Sequence, residues 1–130
     1  MSSFTQPLTV TKIGTKLWCV YIGFRYYVGA ENSSNYIDVP SGFITDFASV
    51  PQLFWNLLPP DGRYTQAAVL HDYLYRSQLR SKKESDSIFL EAMTILDVPA
   101  WKRWVMYQSV NMFGTFAWNK WKRIKENKNV

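Results

Sequence analysis

The sequence predicts an α+β protein, with a small N-terminal antiparallel sheet or hairpin packed on three or four C-terminal helices. Three observations lead there. β-Branched and aromatic runs crowd residues 1–50. Capping and proline signals divide residues 51–125 into helical lengths. The chain has 130 residues, 47% hydrophobic and 19% charged, which is the composition and length expected of a single domain spanning 1–130.

The elements follow in order. Leu8–Thr11 and Leu17–Ile22 read as strands, joined by a turn at Ile13–Lys16. Phe24–Val28 continues the second strand or lies beside it, and Glu31–Asn35 is a polar loop. Tyr36–Ile44 reads as a further strand interrupted by Pro40 and Gly42, which suits an edge or a bulge. Pro51–Leu58 is a short helix stopped by Pro59 and Pro60, and Asp61-Gly62 is a turn. A longer helix runs on to about Gln78. Ser81-Lys82-Lys83-Glu84 has the form of a capping box, in which Ser81 caps the Glu84 amide and Glu84 reaches back. The helix it starts runs to about Leu96. Asp97-Val98-Pro99 ends that helix and begins the last one, Pro99 suiting a first turn; this helix reaches Lys125 with a weak point at Gly114.

Composition excludes several chemistries. Cys19 is the only cysteine and His71 the only histidine. No disulfide can form within the chain, and zinc sites built from four cysteines or from two or three histidines are ruled out. Six Trp, eight Tyr and eight Phe exceed what one small core uses, so some aromatics should face a partner. The net charge of +5 is uneven: residues 102–130 hold seven basic and one acidic side chain, against eight and nine before them. The first residues lack the basic and apolar regions of a signal peptide, and no run of eighteen apolar residues exists to span a membrane.

The candidate chemistry centres on His71. It shares a helix face with Tyr75, four residues on, while Asp72 is turned about 100° away beside Ala68 and Arg76. On the next helix Asp86, Phe89, Leu90 and Met93 form an apolar stripe headed by an acid. A buried carboxylate needs a partner, and His71 is the one expected. Such an aspartate fixes the imidazole tautomer and leaves the second ring nitrogen as a base. Plainer readings stand beside this one: a satisfied core histidine, Asp72 paired with Arg76, and Asp86 paired with Arg80 or Lys82. In the cluster Gly42–Pro51, Asp46 and Ser49 are candidate substrate contacts. Asp46 also suits a turn or a metal, and Ser49 suits a helix cap or a nucleophile completing Ser49–His71–Asp86, although no Gly-x-Ser-x-Gly elbow is present.

The C-terminal run Trp118-Asn119-Lys120-Trp121-Lys122-Arg123-Ile124-Lys125 interleaves tryptophan with cations. It suits an anionic membrane surface met through Trp118, Trp121, Lys120, Lys122 and Arg123. It suits nucleic-acid phosphate equally. It also suits a terminal helix whose tryptophans dock on the core and whose late cations complement the helix dipole.

Val39-Pro40-Ser41-Gly42-Phe43, Thr45-Asp46-Phe47-Ala48-Ser49-Val50-Pro51, Ala68, His71-Asp72-Tyr73-Leu74-Tyr75, Lys83, Asp86 and Met93 together resemble a family of uncharacterised proteins of tailed bacteriophages and prophages. That resemblance covers roughly residues 36–115. More locally, His-Asp-x-x-Tyr on one helix and an aspartate on the next resemble phospholipase A2. The resemblance implies His71 as general base on water, Asp72 as calcium ligand, Asp86 as orienting acid and Tyr75 as its support. The cysteines that flank the motif in secreted phospholipases are absent, and so is a glycine-rich calcium loop, though Gly42–Asp46 could supply oxygens. Together these readings imply a phage-encoded hydrolase with a His–Asp dyad acting on lipid esters. The rival is a non-enzymatic virion or assembly protein, a tail or connector component among other phage structural proteins, in which the pair is a structural hydrogen bond. Either implies the host cytoplasm or the virion as its place.

Overall fold

Strands come first and helices follow in the computed structural model, which describes residues 2–14, 17–45 and 63–128. This is the α+β order that the sequence predicts. The chain divides into two compact units, Met1–Asp46 and Phe47–Val130. The expected Pro51–Leu58 helix, the Asp61-Gly62 turn, and Asp46 and Ser49 lie outside the described residues, as do two of the residues expected to form the Ile13–Lys16 turn.

Among its described residues the first unit holds six strands: β1 (Ser3–Phe4), β2 (Thr9–Gly14), β3 (Leu17–Ile22), β4 (Phe24–Tyr27), β5 (Tyr36–Val39) and β6 (Ile44–Thr45). They form two three-stranded antiparallel sheets, β1-β4-β5 and β2-β3-β6. Both sheets share one long hairpin. Tyr27 faces Tyr36 and Phe24 faces Val39 in one sheet, and Trp18 faces Thr45 in the other, so the pairing keeps the same register across the break. The break sits at Gly23 and its partners. A Cβ on Gly23 would lie 2.8 Å from both Ser41 N and Val39 O, so no side chain fits where the strands bend together. Phe24–Val28 therefore continues β3, and Pro40 to Phe43 interrupts the partner strand. Period-two alternation buries Phe24, Tyr26, Ile37 and Val39, and Phe4 packs on the rings of Phe24 and Tyr26. Arg25, Tyr27, Tyr36 and Asp38 fall on the opposite face, where Arg25 meets Asp38 through two hydrogen bonds of 2.6 and 3.0 Å.

The second unit contains α1 (Arg63–Ser77), α2 (Lys82–Ile95), α3 (Ala100–Phe113) and α4 (Thr115–Lys128). Residues Tyr64, Ala67 to Leu70, Leu74 and Tyr75 of α1 are all buried, so α1 is the central helix. Ser81 caps α2 as expected, its Oγ accepting from Glu84 N at 3.1 Å. The Glu84 carboxylate returns to within 3.5 Å of the same hydroxyl. α2 stops in a Schellman motif: Val98 N donates to Met93 O, Asp97 N to Thr94 O, and Asp97 takes φ 59°. Pro99 stands at the N-cap of α3, one position before the first turn expected for it. The last expected helix is two, divided at Gly114. Hydrogen bonds from Gly114 N to Val110 O and from Trp118 N to Gly114 O carry the helical pattern across the division. Among the described residues no helix is long and apolar enough to cross a membrane.

Candidate active site

Helices α1 and α2 run antiparallel, which their contacts show directly. Tyr64 meets Phe89, His71 meets Phe89 and Asp86, and Tyr75 meets Asp86. The apolar stripe of α2 turns its leading acid inward as its spacing predicts, and Asp86 is fully buried. Its Oδ1 lies 2.8 Å from His71 Nε2 and accepts the Tyr75 hydroxyl at 2.7 Å. Its Oδ2 accepts Lys82 Nζ at 2.8 Å. Two of the three pairings that the sequence left open for Asp86, those with His71 and Lys82 but not Arg80, thus coexist on its two oxygens.

The electrostatics assign the protons. Burial raises the Asp86 carboxyl, but the hydrogen bonds from His71, Lys82 and Tyr75 outweigh it and leave Asp86 below its ordinary value. Burial lowers His71 despite the pull of Asp86, and the Lys82 charge adds to the lowering. Burial first, and then Asp86, pushes the Tyr75 phenol well above its ordinary value. The site therefore holds an aspartate, a lysine cation, a phenol and a neutral imidazole. An ionised Asp86 accepts only, so the His71 proton sits on Nε2 and Nδ1 is the basic nitrogen. The ring is held by aromatic contact as well: Tyr75 and Phe89 stand tilted against it at centroid distances of 4.2 and 4.6 Å.

Two more helices complete the surroundings. Lys82 also donates to Val110 O at 3.1 Å and Asn111 O at 3.4 Å, near the end of α3, where a cation complements the helix dipole. Gly114 lies against the Tyr75 hydroxyl, and Trp118 stands edge-on to the Tyr75 ring at 5.2 Å. The Lys82–Asp86 spacing was visible in the sequence as an i,i+4 pair. The reach to α3 and the closeness of Gly114 to Tyr75 had no local signal, because each joins segments that only tertiary folding brings together. Tyr64, seven residues before His71 and so on the same face of α1, buries its hydroxyl with no hydrogen-bond partner among the described residues. Burial raises its pKa well above the ordinary phenol value, so it stays a donor.

Asp72, the expected calcium ligand, is buried with its Oδ2 3.3 Å from Arg76 Nε. That is the i,i+4 pairing which the sequence also allowed. No group of three or more His, Cys, Asp or Glu side chains gathers among the described residues. A hard cation takes six or more oxygens, so the described donor set does not fit calcium. Trp118 and Trp121 pack against α1, Trp118 on Tyr75 and Trp121 beneath the Arg76 guanidinium at 4.3 Å. Lys120, Lys122 and Arg123 stay exposed.

Comparison with known proteins adds a family. A family model described as a protein of unknown function (DUF1353) matches residues 18–110, a span that contains every residue of the His71–Asp86 site except Asn111, Gly114 and Trp118. The uncharacterized protein y4jT of Sinorhizobium fredii (strain NBRC 101917 / NGR234) is 37% identical over 78 residues, 58% of this chain and 23% of that protein. The chain thus matches under a quarter of that relative's length. No solved structure matches.

Proposed function

The chain belongs to the DUF1353 family of proteins of unknown function, and for this member we propose a hydrolase in which His71 is the general base and Asp86 and Tyr75 orient it. The single observation that carries the reading is the shared oxygen: His71 Nε2 and Tyr75 OH both meet Asp86 Oδ1, at 2.8 and 2.7 Å. That arrangement leaves Nδ1 basic and supports the imidazolium that forms when it takes a proton. The substrate class is a carboxylic ester of a lipid. Nδ1 removes a proton from water as the water oxygen attacks the ester carbonyl. The tetrahedral adduct expels the alcohol, which takes that proton back from the imidazolium, leaving an acid and an alcohol. The Tyr64 hydroxyl, buried and without a described partner, is the donor proposed for the oxyanion. Phage or prophage origin belongs to the same proposal and rests on the motifs around Gly42–Pro51 and His71–Tyr75.

A second reading is favoured by one observation: His71 and Asp86 are 0% exposed. Sealed in this way, the pair is a structural node that ties α1, α2 and α3 together in a non-enzymatic virion or assembly protein.

Fatty-acid release from phosphatidylglycerol–phosphatidylcholine vesicles, and hydrolysis of a soluble p-nitrophenyl ester, separate the two. The hydrolase reading expects turnover that falls about 100-fold or more in His71→Asn, the usual weight of a general base. No turnover by the wild-type chain on either substrate would leave the structural reading standing alone.

A further inference from the structure

We propose that the outer face of α3 and the beginning of α4 is a seat for an anionic lipid surface. Trp101 and Trp104, one turn apart, are 59% and 64% exposed, and Met112, Phe113 and Phe116 are 67%, 50% and 86% exposed. Met106, Ser109 and Val110 are the buried residues of α3, and Trp101, Trp104 and Met112 lie off their stripe, so these three large apolar side chains stand away from the core. The hydrogen bonds through Gly114 let the exposed series run on from α3 into α4. Isolated exposed apolar residues are ordinary, but Trp101 and Trp104 one turn apart, with Met112 and Phe116 exposed further along, mark a contact surface.

Charge decides what kind of contact it is. Residues 102–130 carry seven basic side chains and one acidic one. Lys102 Nζ lies 5.6 Å from the Trp101 ring, and Lys120, Lys122, Arg123 and Lys125 are exposed beyond Phe116. A second copy of the chain would set this cationic segment against itself, so the complementary partner is anionic. Methionine and phenylalanine side chains have no strong donor or acceptor with which to read base edges, whereas acyl chains take them up. Tryptophan suits headgroup depth, and long cations reach the lipid phosphates.

The structure also divides the roles within α4. Trp118 and Trp121 turn onto α1, while Lys120, Lys122 and Arg123 stay outside and Lys125 reaches the Ser77 carbonyl of α1. The apolar contact therefore comes from α3 and Phe116, and α4 supplies charge. Lys82 ties the histidine site to Val110 O and Asn111 O, and Met112 is the next residue, so the seat adjoins the candidate active site. The seat rests on the lipid-ester reading for its purpose only, since its binding is measured with no ester cleaved.

The test is co-sedimentation of the full chain with vesicles of phosphatidylglycerol and phosphatidylcholine in equal parts, and with vesicles of phosphatidylcholine alone. Binding is expected to the anionic vesicles, with a blue shift of tryptophan emission. It should weaken severalfold when sodium chloride rises from about 0.1 M to about 0.5 M. The pair Trp101→Ala and Trp104→Ala should lower binding by about tenfold or more and leave the melting temperature unchanged, because both side chains are exposed. Three results would each overturn the seat: no binding of the wild-type chain to anionic vesicles, full binding by the double variant, or a wild-type dimer in sedimentation that the double variant abolishes. An oligonucleotide that binds wild type but not the double variant, without vesicle binding, would assign the face to nucleic acid and overturn it too. Vesicle binding without fatty-acid release would count against the hydrolase and not the seat. Turnover of the soluble ester without vesicle binding would count against the seat alone.

Discussion

Gly114 has no room for a side chain beside Tyr75: a Cβ on residue 114 would lie 2.5 Å from the Tyr75 hydroxyl oxygen and closer still to the Val110 carbonyl oxygen. The backbone there is ordinary right-handed helix, φ −67°, so glycine is required for room and not for conformation. Gly114→Ala should push the hydroxyl off Asp86 and cost about 2–3 kcal/mol, combining overpacking with a lost charge-assisted hydrogen bond. In a Tyr75→Phe background the same change should cost about 1 kcal/mol less, since no hydroxyl remains to displace. Urea unfolding of the four proteins measures this coupling, and strict additivity would refute it.

Asp86 is the more exacting half of its pair with Lys82. Asp86→Asn strips the charge partner from Lys82 and turns a pure acceptor into a group that also donates, against three donors. A loss of about 3–5 kcal/mol is expected. Lys82→Met leaves a carboxylate still held by His71 and Tyr75, so its loss should be smaller, about 1–2 kcal/mol. Denaturant midpoints for the two variants check the order. An equal or reversed order would mean that Asp86 is not the centre of the node.

The pH dependence has a definite sign. Burial holds the native His71 below its ordinary value, so under about pH 6.5 the unfolded chain binds a proton that the native one refuses. The contribution of His71 is complete above about pH 6.5 and is lost as pH falls toward its lower native value. Asp86 acts in the same direction further down. Its native value is lowered, so its contribution is present above about pH 4 and lost as pH falls through that native value. His71 is the only histidine, so one imidazole resonance in NMR reports it. A midpoint at or above 6.5 would contradict the burial argument. If the site hydrolyses esters, activity should persist on the acid side of pH 6.5, because the base remains unprotonated there.

Tyr64→Phe removes a buried hydroxyl that has no hydrogen-bond partner among the described residues. Stability should hold or rise by up to about 1 kcal/mol. If the hydroxyl serves the oxyanion, ester turnover should nevertheless fall by about 100-fold. A thermal melt and a turnover assay on the same preparation separate these effects. A marked loss of stability would show that the hydroxyl has a structural partner.

Much of this was legible locally. The acid heading the stripe Asp86, Phe89, Leu90 and Met93, together with the His71–Tyr75 spacing, was enough to anticipate the central hydrogen bond, because helical periodicity alone decides which side chains face inward. The Ser81 cap and the split strand at Pro40–Gly42 were legible for the same reason, each being a signal of a few residues. β1 was not: it is two residues long and exists only because Tyr26 and Tyr27 offer it an edge more than twenty positions later. The division at Gly114 was visible as a weak point, but part of its reason, the Tyr75 hydroxyl beside the Val110 carbonyl, belongs to another helix. The placement of Trp118 and Trp121 depends likewise on α1, and amphipathic spacing could not say which partner their face would meet.

The unbroken register of the long hairpin bears on how the first unit tolerates insertion and deletion. The interruption takes the same number of residues from each strand, so it bends the ribbon without shifting it. Inserting a residue in the loop between Tyr27 and Tyr36 would be absorbed at the surface. Deleting one between Val39 and Ile44 would leave the inner-face residues Ile37 and Val39 on one side of the bend while turning Ile44 and Thr45 over on the other. Length changes in this unit should therefore survive at the loop and fail at the bend, although the bend has the looser secondary structure of the two.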